Sequence, residues 1–292
     1  MNGPSYTMRT MTRAEVDGTL DLAAGEGWNP GLHDALPFHL ADPAGFLAGV
    51  ADGRAVASLS AVRYGHRFGF IGLYIVDPAA RGCGYGWALW QAGMARLDGA
   101  VIGLDGVVAR QDDYRACGFE TAHRNIRYRA APGTIPGPGP GAGTAVPGVT
   151  VVDARTVPFD AILDLDAPVF PARRAAFLAA WLTMPGTTAL VALRDGRAVG
   201  FGAVRPCREG AKIGPLVAPD AAVAAHLLAA LAVAAPAGGP LFLDLPEVNR
   251  PAVALAEGLG MAPMFETARM YRGPAPALAL DRVFGITTFE LG

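Results

Sequence analysis

The chain repeats itself. Asp52-Gly-Arg-Ala-Val56 returns as Asp195-Gly-Arg-Ala-Val199, 143 positions on. Cys117-Gly118-Phe119 corresponds to Leu259-Gly260-Met261, 142 positions on, and Tyr128 to Tyr271, again 143 on. Matches in one order at nearly constant spacing mark a duplicated domain. Between the copies, Ala131–Gly148 holds five prolines and six glycines, including the run Pro136–Gly141. Neither a helix nor a central strand tolerates that content, so the stretch reads as a linker. The expected organisation is a first unit over 1–130, a linker over 131–148 and a second unit over 149–292. Two units also suit 292 residues at roughly 150 per domain.

Each unit reads as mixed α/β. Thr12 with Glu15 is a capping-box signature that opens a helix to about Ala24. Asp42-Pro43 predicts a second short helix, with Asp as cap and Pro in its first turn. Strands are expected over Arg54–Val62, Arg67–Val76, Ala100–Val108 and Glu120–Arg129, and helices over Gly86–Leu97 and Gln111–Cys117. The second unit repeats the pattern. Helices are expected at Ala172–Leu182, Ala221–Ala234 and Pro251–Leu259. Strands are expected at Thr188–Leu193, Ala198–Val204, Ile213–Val217, Leu241–Leu245, Ala262–Tyr271 and, at the tail, Val283–Leu291.

Composition removes several function classes. With 52% hydrophobic and 17% charged residues the chain can bury a core, and its net charge of −2 favours neither nucleic acid nor an anionic membrane as a partner. The single lysine, Lys212, follows Ala211, which excludes a P-loop. Cys83, Cys117 and Cys207 form no CxxC pair, so neither a disulfide framework nor structural zinc is expected. No Cys/His cluster suggests a metal. The most membrane-like run, Ala221–Ala235, is shorter than the about 20 residues a span needs and contains His226. No basic-then-apolar leader opens the chain. A cytoplasmic location, as monomer or homodimer, is the expectation.

Chemistry concentrates in Gly72–Gly86, where a strand enters the turn Arg81-Gly82-Cys83-Gly84-Tyr85-Gly86 and leaves as a helix. Alternate glycines permit positive φ and close approach. Successive N–H groups and the helix N-terminus can then converge on an anion, with Arg81 adding a fork of donors. The pattern suits a pyrophosphate. It is not the dinucleotide-binding GxGxxG, because the third glycine would fall at Trp87.

Arg81–Gly86 resembles the R/Q-x-x-G-x-G/A motif of the GNAT acyltransferases, and Tyr114-Arg-Ala-Cys-Gly118-Phe119 resembles their Tyr-x-x-x-Gly-Phe motif. Glu26–Gly31, Leu104-Asp105-Gly106 and the tail Phe284–Glu290 are similar to a bacterial subfamily of two-domain members whose second domain is called acetyltransferase type 18. The resemblance implies two tandem units, each a mostly antiparallel twisted sheet flanked by helices, with splayed fourth and fifth strands. It implies acetyl-CoA as co-substrate and no metal. The CoA contacts would be Tyr74, Ile75, Val76, Arg81, Gly82, Cys83, Gly84, Tyr85, Gly86 and Tyr114. Tyr114 would be the acid for the leaving thiolate, and Glu26 or Asp105, or water, the base. Trp28, Asn29 and His33 are candidates for contact with a small-molecule amine, whereas Trp87 and Trp90 read as core. An exposed Cys83 would block CoA binding by bulk when alkylated. In the second unit the matching turn is Asp220-Ala-Ala-Val-Ala-Ala225 and Tyr114 is replaced by Ala256, so only the first unit is expected to bind the nucleotide. Asn249 and Arg250 read as solvated loop residues. Two other readings are a non-catalytic acyl-CoA sensor and a thiol-conjugate acetyltransferase of mycothiol-synthase type.

Overall fold

The computed structural model describes residues 5–137 and 145–292, so the inner part of the expected linker, 138–144, lies outside the described residues. In chain order the elements are β1 (Tyr6–Thr10), α1 (Arg13–Gly25), α2 (Ala35–Ala41), β2 (Phe46–Ala51), β3 (Arg54–Tyr64), β4 (Phe68–Val76), α3 (Tyr85–Arg96), β5 (Val101–Val107), α4 (Gln111–Ala116) and β6 (Glu120–Ala130). They continue as β7 (Val149–Asp153), α5 (Phe159–Asp166), α6 (Ala175–Leu182), β8 (Thr188–Arg194), β9 (Arg197–Pro206), β10 (Ala211–Val217), α7 (Ala221–Ala234), β11 (Leu241–Pro246), α8 (Arg250–Gly258), β12 (Ala262–Arg272) and β13 (Val283–Gly285).

The strands form one thirteen-stranded mixed sheet in the order β1-β2-β3-β4-β5-β12-β6-β11-β10-β9-β8-β7, with β13 against β10. The repeat is therefore structural, and its two copies exchange their last long strands. β12 pairs with β5 of the first half, and β6 pairs with β11 of the second. The two exchanged strands run antiparallel to each other at the centre. Matching ion pairs sit at both junctions. Arg269 on β12 stands opposite Asp105 on β5 and donates to it at 3.1 and 2.7 Å. Arg127 on β6 stands opposite Asp244 on β11 and donates at 2.7 and 2.8 Å. Both pairs are buried. Arg127 and Arg269 hold equivalent places on strands of equal length, so the pairs fix strand register, and breaking either would leave a buried charge at a cost of several kcal/mol.

Helices cover both faces. α3 packs through Leu89 and Trp90, and Leu97 just after it, on one face of the first half, and α7 through Val223, Leu227, Leu228 and Leu231 on the second half. On the other face, α1, α2, α5 and α6 share one core across both halves, where Phe38 stacks on Trp181 at 6.0 Å.

Several local expectations are corrected. Asp42-Pro43 opens no helix. Asp42 follows α2, accepts from the Arg63 N–H and Arg96, and the chain then extends as β2 between β1 and β3. Pairing on both edges outweighs the local helix signal. The short strand β1 and the helix α5 carry no sequence signal read above, and α6 begins at Ala175 rather than Ala172. The expected tail strand, Val283–Leu291, is extended only over Val283–Gly285. There Ile286 donates to the Asp244 carbonyl, and the chain then leaves the sheet. Asn249 is no solvated loop residue. It is buried, caps α8, and donates to the Asp281 and Val283 carbonyls, which fixes β13.

Candidate active site

A cleft opens where β4 and β5 part. They pair in parallel only from Phe68–Ile71 to Val101–Leu104, although β4 runs on to Val76 and β5 to Val107. A bulge helps the divergence. The β3–β4 register shifts between Ser58 and Ser60, and Leu73 sits at φ 47° with its carbonyl bound by the Ser58 hydroxyl at 2.8 Å. Leu73–Val76 thus have β3 on one side and no strand partner toward β5. The gap is a cavity of about 670 Å³, lined by the whole span Ile71–Val76, by Arg81, Gly82 and Gly84–Trp87, and by Tyr114.

The turn before α3 has the form expected of an anion cradle. Gly82 and Gly84 sit at φ 80° and 81°, where a side chain is strained, and a methyl added at either would meet open space. Gly86 plays a different part from the one expected of it. It lies inside α3, and a methyl there would come within 2.8 Å of the Tyr74 hydroxyl and Val76, so it serves helix–strand packing. Among the described residues α3 has no side-chain cap, which leaves its first N–H groups unpaired within the helix, and its first residues line the cleft. Tyr6 steadies this end by stacking on Tyr85 at 4.5 Å and donating to the Tyr85 carbonyl at 2.8 Å.

The second half closes both counterparts of this site. The α7 cap Asp220 accepts from the Val223 N–H with its own carboxylate, so its N-terminus already holds an anion. β10 and β11 also part after Ile213, but β13 fills the gap, pairing Leu216 with Gly285 and Val217 with Val283.

Tyr114 reaches the first cleft from α4. It packs on Trp90 at 5.5 Å and Phe119 at 6.4 Å, and burial, then the neighbouring Tyr74, pushes its phenol up to about 12. It is therefore protonated at any working pH. Glu26 lines the cleft and accepts from Arg81 at 2.8 Å, while Arg81 also donates to the Val76 carbonyl at 3.0 Å. Asp105 reaches the cleft wall, but its side chain is fully buried and its oxygens are bound by Arg269, Asn125 and Thr267. Taking a proton there would break a buried ion pair.

The remaining candidates divide. Trp28 lines the cleft. Asn29 points away from it and exchanges two hydrogen bonds with the Glu209 backbone, at 3.0 and 2.8 Å, anchoring the Trp28 loop to the second half. His33 is exposed and outside the cleft, as is the free thiol of Cys83. Trp90 is buried as expected, but Trp87 is 54% exposed and lines the cleft mouth rather than the core. Sequence reasoning missed Phe265, Thr267, Phe289 and Glu290, which bring the second half and the tail to the same cavity.

Fold and cleft define a class, a tandem acyltransferase of the GNAT type. Residues 13–119 match the acetyltransferase (GNAT) family model and residues 162–285 the model of a further acetyltransferase (GNAT) domain, so the chain belongs to the GNAT acetyltransferases. It is 29% identical over 288 residues to holothin acyltransferase of Pseudoalteromonas sp. (strain SANK 73390), covering 99% of this chain and 95% of that one. A provisionally named acetyltransferase from Pyrococcus horikoshii shares the fold with a TM-score of 0.79 at 22% identity, over 100% of this chain and 98% of that one. A tandem GNAT protein from the clavulanic acid biosynthesis pathway aligns with a TM-score of 0.66 at 17% identity, over 93% and 100%. Among the described residues no acidic, Cys or His cluster could hold a metal, and no helix is long and apolar enough to cross a membrane.

Proposed function

We propose that this chain transfers an acetyl group from acetyl-CoA to a primary amine of a small molecule, by direct attack within the first-half cleft. The observation that carries the reading is the uncapped glycine turn of α3 opening onto a 670 Å³ gap between diverging strands. Gly82–Gly86 would hold the diphosphate through backbone N–H groups, and the free edge of Leu73–Val76 would align the pantetheine arm. Cys83 would border the cradle from outside. Residues 1–130 would form the catalytic unit, completed by β12. The second unit, with its own cleft filled, would serve as support and as one wall of the acceptor pocket.

Arg81 fits this role in spite of its partner. Its ion pair with Glu26 is half-exposed on both sides, and such pairs contribute about 0–1 kcal/mol. A diphosphate binding more strongly would take the guanidinium over and leave the Glu26 carboxylate facing the cleft. When bound, acetyl-CoA would supply a thioester carbonyl, and a backbone N–H near Ile75 or Val76 would stabilise negative charge on its oxygen. Tyr114 donates its phenolic proton to the departing sulfur. Trp28 touches the acceptor, and Asn29 holds its loop.

The test is amine-dependent release of CoA thiol across a panel that includes holothin, polyamines, amino acids and amino sugars. Tyr114→Phe should bind acetyl-CoA normally and lose ~10²–10⁴-fold in turnover. Unchanged turnover would remove Tyr114 from the mechanism, and a wild-type chain that binds acetyl-CoA but acetylates nothing would make it a sensor.

A further inference from the structure

The chain's last residues build a feature that neither half has alone. After β13 the tail crosses from the filled second-half cleft to the open first-half one. There the Glu290 carbonyl lies so close to β4 that a methyl on Gly72 would come within 2.0 Å of it, and the Leu291 carbonyl accepts from the Tyr64 hydroxyl at 3.2 Å. This brings Phe289 and Glu290 into the wall of the cleft.

Glu290 differs from every other buried carboxylate described. Asp34, Asp105, Asp166 and Asp244 are each clamped by an arginine. Glu290 is 5% exposed and forms no ion pair among the described residues. Its Oε2 accepts from the Thr288 hydroxyl, and no donor among the described residues reaches Oε1. Arg127 and Arg205 are the cations that feel its charge, and Glu26 and Asp105 are the other carboxylates on the cavity wall. An unclamped carboxylate beside a cavity has an open site for a cation.

The neighbouring walls are aromatic and hang on one group. Arg127, held by Asp244, donates to the Trp28 carbonyl at 2.8 Å and lies 5.7 Å from the Phe265 ring and 5.0 Å from that of Phe289. Those two rings meet edge to face at 5.9 Å. A loop of the first half, an exchanged strand and the tail thus present Trp28, Phe265 and Phe289 around one buried guanidinium.

We propose that this is the acceptor site, that it takes a primary amine carried on a flat apolar group, and that Glu290 accepts the ammonium proton. The proposal rests on the acetyl-transfer reading above. The ammonium gives one proton to Glu290. The freed nitrogen pair forms the C–N bond, the C–S bond breaks, and the sulfur takes the Tyr114 proton. The second nitrogen proton returns to the tyrosinate through water, and Glu290 releases its own to solvent. Arg127 is a positioning residue.

The experiment uses the full chain with 2-phenylethylamine and putrescine as probes, comparing wild type with Glu290→Gln, which keeps an acceptor for Thr288. Melting temperature and acetyl-CoA affinity by calorimetry control for folding and for the co-substrate site. The expected result is near-normal acetyl-CoA affinity in Glu290→Gln and a ~10²–10⁴-fold lower kcat/KM for 2-phenylethylamine at pH 7. That deficit should shrink tenfold per pH unit as solution deprotonates the amine. Wild type should prefer 2-phenylethylamine to putrescine. Equal pH profiles for variant and wild type, or putrescine acetylated as readily, would overturn the proposal and leave the acetyl-transfer reading standing. If neither amine turns over, binding of 2-phenylethylamine to the CoA-saturated protein decides. Weakening by Glu290→Gln supports the site, and no binding to wild type overturns it.

Discussion

Two glycines of one turn should respond differently to the same methyl group. At Gly84 the backbone sits at φ 81°, and an added Cβ meets nothing within 4 Å. Gly84→Ala should therefore cost only the left-handed strain, about 1–2 kcal/mol. At Gly86 the Cβ comes within 2.8 Å of both the Tyr74 hydroxyl and Val76. Overpacking of that kind costs about 1–3 kcal/mol, less up to about 1 kcal/mol of improved helix propensity. The two variants should thus be similar in stability, and binding should separate them. If the turn's N–H groups hold a diphosphate, strain at Gly84 misaims at least one hydrogen bond to a charged group, worth about 1.5–3 kcal/mol, or roughly 10- to 150-fold in Kd. Urea denaturation supplies the stabilities and calorimetry with acetyl-CoA the affinities. Wild-type affinity in Gly84→Ala would refute the cradle.

Two further outcomes concern the exchanged strands. Arg269→Met leaves Asp105 buried without its cation and should cost about 3–5 kcal/mol in denaturant melts, much of it regained in Arg269→Met/Asp105→Leu; a double variant as unstable as the single one would deny the pair its clamping role. His123, buried on β6 opposite Arg269, is held down at about 4 by burial and then by that guanidinium. Its unfolded value is about 6.5, so the unfolded chain binds the proton more readily, and stability is full above that pH and lost as pH falls toward 4. Wild type should lose about 2 kcal/mol between pH 7.5 and 5 that His123→Gln keeps, and identical acid limbs would contradict this.

What the sequence disclosed was local. Gly82, Gly84 and the helix after them are contiguous, so the residues that need positive φ and the donors they expose can be read from one segment. Tyr114 was legible for the same reason, four residues before Gly118 on a short helix. The repeat announced two similar halves, but not that they trade strands, because Arg127 and Arg269, like Asp105 and Asp244, hold equivalent places and can pair with or without the exchange. Trp87 and Trp90 share a helical spacing, and periodicity does not show that the first turn of α3 faces a cleft. Phe289 and Glu290 lie more than 200 residues from β4, and only the tail's crossing brings them to it.

The most direct measurement is the stoichiometry of acetyl-CoA binding to the intact chain. With the first cleft open and the second filled by β13, calorimetric titration should give one site per chain. Two sites per chain, or one that survives when the Gly82–Gly86 turn is disrupted, would contradict the account.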